Sequence, residues 1–166
     1  MDLLNYNNLK WNIYSYNNKE NYVDFVEYRA VKGELLEECK AGGIKIALVT
    51  ASNGRQMRSV LTRFPEGFFD ATVSRDDVQK SKPDPAPYLL AANLLGIKNE
   101  LCVVFEDSPT GVESGLRSGA QVIGIPHLIQ MVPHENLRVI DAIADVNLAQ
   151  LITWYPFLTS RLNSND

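Results

Sequence analysis

The run VVFEDSPTGVESGLRSGA, from Val103 to Ala120, carries the sharpest pattern in the sequence. Val103, Val104 and Phe105 form an apolar run that stops at two adjacent acids, Glu106 and Asp107. Ser108 and Pro109 follow, and then a Gly- and Ala-spaced stretch with helical character over about Thr110 to Ser118. Two carboxylates at the end of a buried strand, where a helix begins, call for a chemical reason.

Working outward, the same strand-then-helix alternation recurs. Val31 to Gly43 reads as a helix with Leu35, Leu36 and Cys39 inward, Lys40 in its last turn and Gly42-Gly43 as its stop. IKIALVT, Ile44 to Thr50, is a short run suited to a buried parallel strand. Ser52-Asn53-Gly54 turns the chain into a helix over Gln56 to Phe64, with Met57, Val60 and Leu61 inward. Phe68 to Val73 reads as a strand. SKPDPAPY, Ser81 to Tyr88, is a Pro-punctuated loop entering a helix through Leu95, with Gly96 as its stop. Leu101 to Phe105 and Gln121 to Pro126 are further strands, and Leu148 to Trp154 is the last helix. Such alternation predicts an α/β fold, a mostly parallel sheet with helices on both faces.

In such folds ligands sit at the C-terminal ends of the strands. Thr50 ends one strand and Glu106-Asp107 end another, so the three residues can meet at one sheet edge. Thr50 offers a hydroxyl, and Ala51 and Ser52 offer N–H groups in a turn leading to a helix, a plausible phosphate cradle. Lys82 can bring a positive charge to the same edge. Glu106 and Asp107 are hard oxygen donors suited to Mg²⁺. Together these describe a site for a Mg²⁺-bound phosphoryl group. Each residue alone has a plainer role. Thr50 could cap a turn, Lys82 could be a solvated loop lysine, and the paired acids could favour a helix N-terminus. The joint pattern is what points to a site.

These motifs resemble the haloacid-dehalogenase-like (HAD) superfamily, and within it the β-phosphoglucomutase and phosphoglycolate-phosphatase-like hydrolases. The resemblance covers roughly residues 30 to 126. IKIALVTAS is similar to the family's second motif, which makes Thr50 the phosphate-binding hydroxyl, with Ala51 and Ser52 in the following loop. SKPDPAPY is similar to the third, which makes Lys82 the lysine that pairs with phosphate and nucleophile. VVFEDSPTGVESGLRSGA is similar to the fourth, which makes Asp107 a Mg²⁺ ligand and Glu106 a ligand directly or through water. The resemblance implies a Rossmannoid three-layer core, and the cap domain usual in that family is expected to be absent or vestigial in this chain. It also implies Mg²⁺-dependent phosphoryl hydrolysis or transfer on a small phosphorylated metabolite.

The family's first motif, a strand ending in DxDGT whose first Asp is the nucleophile, has no match. No DxD occurs in the chain; Asp76-Asp77 lies between the second and third motifs, and Asp24 has no second Asp two residues on. Either the motif decayed in place or the first residues are unrelated to it. In the first case IYSYNNK would put Ser15 at the nucleophile, Asn17 at the acid/base and Lys19 at the threonine. In the second, the central strand is absent or replaced, at a cost in packing. Self-association or a partner strand could then fill the place. The two functional expectations are an impaired phosphatase scaffold and a catalytically inactive pseudoenzyme that serves as a phosphate-binding or protein-interaction module.

Bulk properties set limits. A length of 166 residues suits one core. The domain expectation is an atypical segment over 1–30, the core over 31–158 and a frayed tail over 159–166. A net charge of -4 argues against non-specific nucleic-acid binding. No apolar run approaches the roughly 20 residues of a membrane span, and the Asn- and Tyr-rich start lacks the build of a signal peptide. Cys39 and Cys102, with no CxxC, read as buried thiols of a cytoplasmic protein. Arg55, Arg58, Glu113 and Arg117 read as solvated helix faces, and Trp11 and Trp154 as packing. His127 and His134 have no evident role.

Overall fold

The computed structural model describes residues 12–16, 23–27, 33–125, 131–141, 143 and 146–161. Two short strands, β1 (Asn12–Tyr16) and β2 (Val23–Glu27), pair with each other antiparallel. From there strands and helices alternate: α1 (Gly33–Ala41), β3 (Ala47–Val49), α2 (Gly54–Leu61), β4 (Ala71–Val73), α3 (Ala86–Leu95), β5 (Val103–Glu106), α4 (Pro109–Arg117) and β6 (Gln121–Gly124). Strand β7 (Leu137–Val139) and helix α5 (Leu148–Trp154) follow. All pairings from β3 onward are parallel: β3 with β4, β5 with β6, and β6 with β7. The chain is therefore the α/β type that its alternation predicts.

The parallel strands form two hydrogen-bonded sheets, β3–β4 and β5–β6–β7, and two apolar clusters lie on opposite sides of the second. Val103, Phe105 and Ile123 join Leu35, Cys39 and Leu151 in one, beneath α1 and α5. Val104 and Val122, the intervening residues of the same strands, join Tyr88 and Val112 in the other, beneath α3 and α4. This is period-two alternation with both faces covered, as a parallel sheet requires. The result is three layers.

Helix ends follow local chemistry. In α2, Asn53 accepts the Gln56 N–H at 3.0 Å while the Gln56 side chain accepts the Asn53 N–H at 3.2 Å, a complete capping box. Helix α3 ends at Gly96, whose φ of 67° is a left-handed cap favouring glycine. Helix α5 matches its expected span, and Asn147 caps it by accepting the Gln150 N–H at 2.8 Å.

Several expectations shift. The strands are shorter at their starts than the apolar runs, because β3 and β4 pair only over three residues. Leu101 belongs to a 3₁₀ turn, Asn99–Leu101, rather than to β5. Cys39 is buried, but Cys102 is only half-buried. Pro156–Arg161 forms a 3₁₀ helix, which includes the first residues of the expected tail, and residues 162–166 lie outside the described residues. Residues β7 and Arg75–Asp77, a second 3₁₀ turn, have no strong apolar period and were not foreseen. Ser15 lies in β1 opposite Asp24 in register. Trp11, Asn17, Lys19, Pro126 and His127 fall outside the described residues.

Candidate phosphoryl-binding edge

The loop after β3 is tied down on both sides. The Thr50 N–H donates to the Val73 carbonyl at 2.9 Å, and Ser52 accepts the Arg75 N–H at 2.9 Å. Within the turn, Thr50 Oγ1 accepts the Ser52 N–H at 3.1 Å. A hydroxyl that accepts from its own turn keeps its proton to donate outward. The Asn53 N–H is taken by Gln56, and the Gly54 N–H by Asp76 Oδ2 at 2.8 Å. Of the expected N–H cradle, Ser52 is therefore committed internally. Among the described residues, the Ala51 N–H is the member of this turn without a protein acceptor, and Ala51 is exposed.

Lys82 joins the two halves of the sheet. Its ammonium donates to the Val49 carbonyl at 3.2 Å and to Glu106 Oε1 at 2.5 Å. Val49 ends β3 and Glu106 ends β5, so one ammonium brings Thr50 and Asp107 to a common edge. The Lys82 and Glu106 side chains are 9% and 8% exposed. Burying such a charge pair costs several kcal/mol per ion unless further hydrogen bonds complete it. Tyr88 supplies one: its hydroxyl donates to Glu106 Oε1, and its ring lies 4.8 Å from the Lys82 ammonium. Ser108 supplies another, with Oγ 3.3 Å from Glu106 Oε2. Burial, then the charge of Glu106, its hydrogen bond and the charge of Asp107 hold the Tyr88 phenol well above its ordinary pKa of 10.0. It therefore stays a donor at neutral pH.

The start of α4 is shaped around that carboxylate. Ser108 caps the helix by accepting the Gly111 N–H at 3.1 Å. A Cβ on Gly111 would overlap all three atoms of the Glu106 carboxyl group, so glycine here is a matter of space.

The expected site residues thus separate into two roles. Thr50, Ala51 and Asp107 lie half-buried or exposed along the edge. Glu106 lies beneath it, with Oε1 held by Lys82 and Tyr88 and Oε2 by Ser108. Its geometry suits it to fixing Lys82 more than to reaching an ion directly. Tyr88, Ser108 and Gly111 belong to the site and were missed, although all lie inside the quoted motifs. Asp76 and Asp77 are structural: Asp76 holds Gly54, and Asp77 accepts the Ser74 N–H at 2.7 Å. Arg55, Arg58, Glu113 and Arg117 are exposed, as expected. His134 accepts the Asn136 N–H through Nδ1 at 3.1 Å, and the Arg138 guanidinium stacks 4.6 Å from the ring of half-buried Trp154.

No group of three or more His, Cys, Asp and Glu residues is gathered for a metal among the described residues. Mg²⁺ does not require one, since it often takes one or two carboxylates and completes its shell with water and phosphate oxygens. Asp107 fits that more open arrangement.

A set of motifs at one edge of a parallel sheet defines a class, and comparison with known proteins agrees. The chain belongs to the haloacid dehalogenase-like hydrolase family, whose model matches residues 3–125. Its relatives place it in the phosphoglucomutase and phosphatase group. It is 41% identical over 96 residues to the phosphorylated carbohydrates phosphatase of Thermotoga maritima, covering 57% of this chain and 44% of that one. It is 38% identical over 93 residues to hexitol phosphatase A of Escherichia coli, covering 55% and 42%. Among solved structures it resembles CbbY of Rhodobacter sphaeroides in complex with phosphate, with a TM-score of 0.67 and 26% identity over 74% of this chain and 58% of that one. The chain spans less than half the length of these two curated relatives. No helix among the described residues is long and apolar enough to cross a membrane.

Proposed function

We propose that this chain carries the phosphoryl-binding part of a Mg²⁺-dependent phosphatase site for a small phosphorylated metabolite of the sugar-phosphate type. The observation that carries the reading is the Lys82 ammonium, bonded at once to the end of β3 and to the end of β5. An anion at that edge would meet the Thr50 hydroxyl and the Ala51 N–H from one side and the Lys82 charge from the other. Glu106 and Tyr88 hold Lys82 in place, so the ammonium is preorganised rather than recruited. Asp107 is the carboxylate best placed to hold Mg²⁺, which would supply positive charge beside the phosphoryl oxygens. The two thiols, neither in a disulfide, suit a reducing cytoplasm. The names of the relatives, a phosphorylated carbohydrates phosphatase and a hexitol phosphatase, favour the sugar-phosphate class.

The absence of DxD favours a second reading for the chain by itself: a phosphate-binding pseudoenzyme or interaction module. Turnover of p-nitrophenyl phosphate with and without Mg²⁺, beside Asp107→Asn, separates the two. We expect no Mg²⁺-dependent turnover above the variant. Mg²⁺-dependent turnover that vanishes in the variant would mean a nucleophile within the chain, with Ser15 the next to replace.

A further inference from the structure

We propose that the outer face of α3 is the contact surface of a weak homodimer, in which two copies of this chain pack their α3 helices antiparallel about a two-fold axis at Asn93. Helix α3 reads APYLLAANLL and carries no charged residue. Its inner arc, Pro87, Tyr88, Ala91, Ala92 and Leu95, is buried, and the helix packs against β3, β4 and α4. At about 3.6 residues per turn the other five residues, Ala86, Leu89, Leu90, Asn93 and Leu94, form one outward arc. Leu89 is 48% and Leu94 54% exposed. A helix apolar on every side belongs in an interior, and a contiguous exposed apolar patch marks a contact surface. Helices α1, α2 and α4 show the ordinary alternative, with Glu37, Arg58 and Glu113 exposed on their outer sides.

The surface is complementary to itself, which selects a second copy as its occupant. Asn93 is exposed within the arc, with Leu89 and Leu90 one turn before it. A side-chain amide both donates and accepts, so two Asn93 side chains can bond reciprocally across a two-fold axis. One polar residue in an apolar seam also fixes the register of the pairing. Both signs of charge stand at each end of the helix: Lys80 and Asp84 before it, Lys98 and Glu100 beyond it. Antiparallel packing lays the start of one helix over the end of the other, so Lys80 approaches Glu100 of the second copy and Asp84 approaches its Lys98. Within the chain the Lys80–Asp84 pair is a long 4.0 Å contact with Lys80 exposed, a pair of small worth that leaves the lysine available. With mixed signs at both ends, the rim offers no single charge for a partner of opposite sign to read. A two-fold contact closes on itself and stops at the dimer. The helix is only about 15 Å long, so the interface is of the small class that gives weak, exchanging association. It lies on the side of α3 turned away from the sheet, apart from the phosphoryl-binding edge.

The test is sedimentation equilibrium of the full chain over about 5 to 500 µM, the range of weak association. It is run beside Asn93→Asp and Asn93→Lys; the position is exposed, so both variants should keep the circular dichroism of the parent. The parent's mass should rise with concentration from 18.6 kDa toward twice that value. Either variant alone sets like charges against each other on the axis, and should dimerise at least about tenfold more weakly. An equimolar mixture of the two sets opposite charges there, and should recover the parent's association. A parent chain that stays monomeric throughout the range would overturn the proposal. Dimerisation equal in the parent and both variants would overturn it too, since the contact would then lie elsewhere, as at the open edges of β3 and β5. A mixture no better than either variant would refute the two-fold axis at Asn93. Orthophosphate binding at the strand ends is a separate measurement, so failure here leaves the phosphoryl-binding reading standing.

Discussion

At the scale of single residues, the Lys82–Glu106 pair holds the edge together. Replacing Lys82 with Met leaves a buried carboxylate with no cation, and such losses cost about 3 to 5 kcal/mol. Urea unfolding should show that drop, and the double variant Lys82→Met/Glu106→Gln should recover part of it, since two neutral side chains demand less solvation. Tyr88→Phe removes one donor from the same carboxylate, for an expected loss of about 1 to 3 kcal/mol. Gly111→Ala should destabilise the fold by about 1 to 3 kcal/mol through overpacking against Glu106; a neutral result would contradict the close approach of α4. Much of this was legible in the sequence: the hydroxyl, the lysine and the paired acids could each be named. The division of labour between Glu106 and Asp107 was not. Adjacent strand residues point to opposite faces, but which face is interior depends on Tyr88 and Gly111, brought in from other elements.

At the scale of elements, helices were the easier part. Caps and stops such as Asn53, Gly96 and Ser108 act locally, so their chemistry can be read without the fold. Strand limits depend on what the neighbour offers, and β7, with Arg138 and Val139 exposed, carries no apolar period to read. Helix α1 supplies a test of packing. Burial first, and the nearby charge of Glu38 second, raise the Cys39 thiol from 9.0 to about 11. A raised acid favours the neutral form in the folded state. Its contribution to stability is therefore present below pH 9 and is lost as pH rises toward 11. At pH 8 Cys39 should react with iodoacetamide far more slowly than half-buried Cys102, and at a rate set by unfolding. Equal rates for both would contradict the packing of α1 on the sheet.

At the scale of the molecule, the parallel strands form two blocks, β4–β3 and β5–β6–β7, joined at one end by the Lys82 ammonium. The alternation of apolar runs was enough to predict the layers. The break between the blocks was legible only as a missing motif, because a groove is a relation between distant edges and leaves no local mark. The same edge carries the functional claim, and binding tests it without requiring turnover. Orthophosphate should be titrated calorimetrically into the chain in the presence of Mg²⁺, beside Thr50→Val, which keeps the shape and removes the hydroxyl, and Asp107→Asn. The account predicts saturable binding that weakens at least tenfold in Thr50→Val and loses its Mg²⁺ dependence in Asp107→Asn. Binding unchanged in both variants, or none in the parent chain, would contradict it.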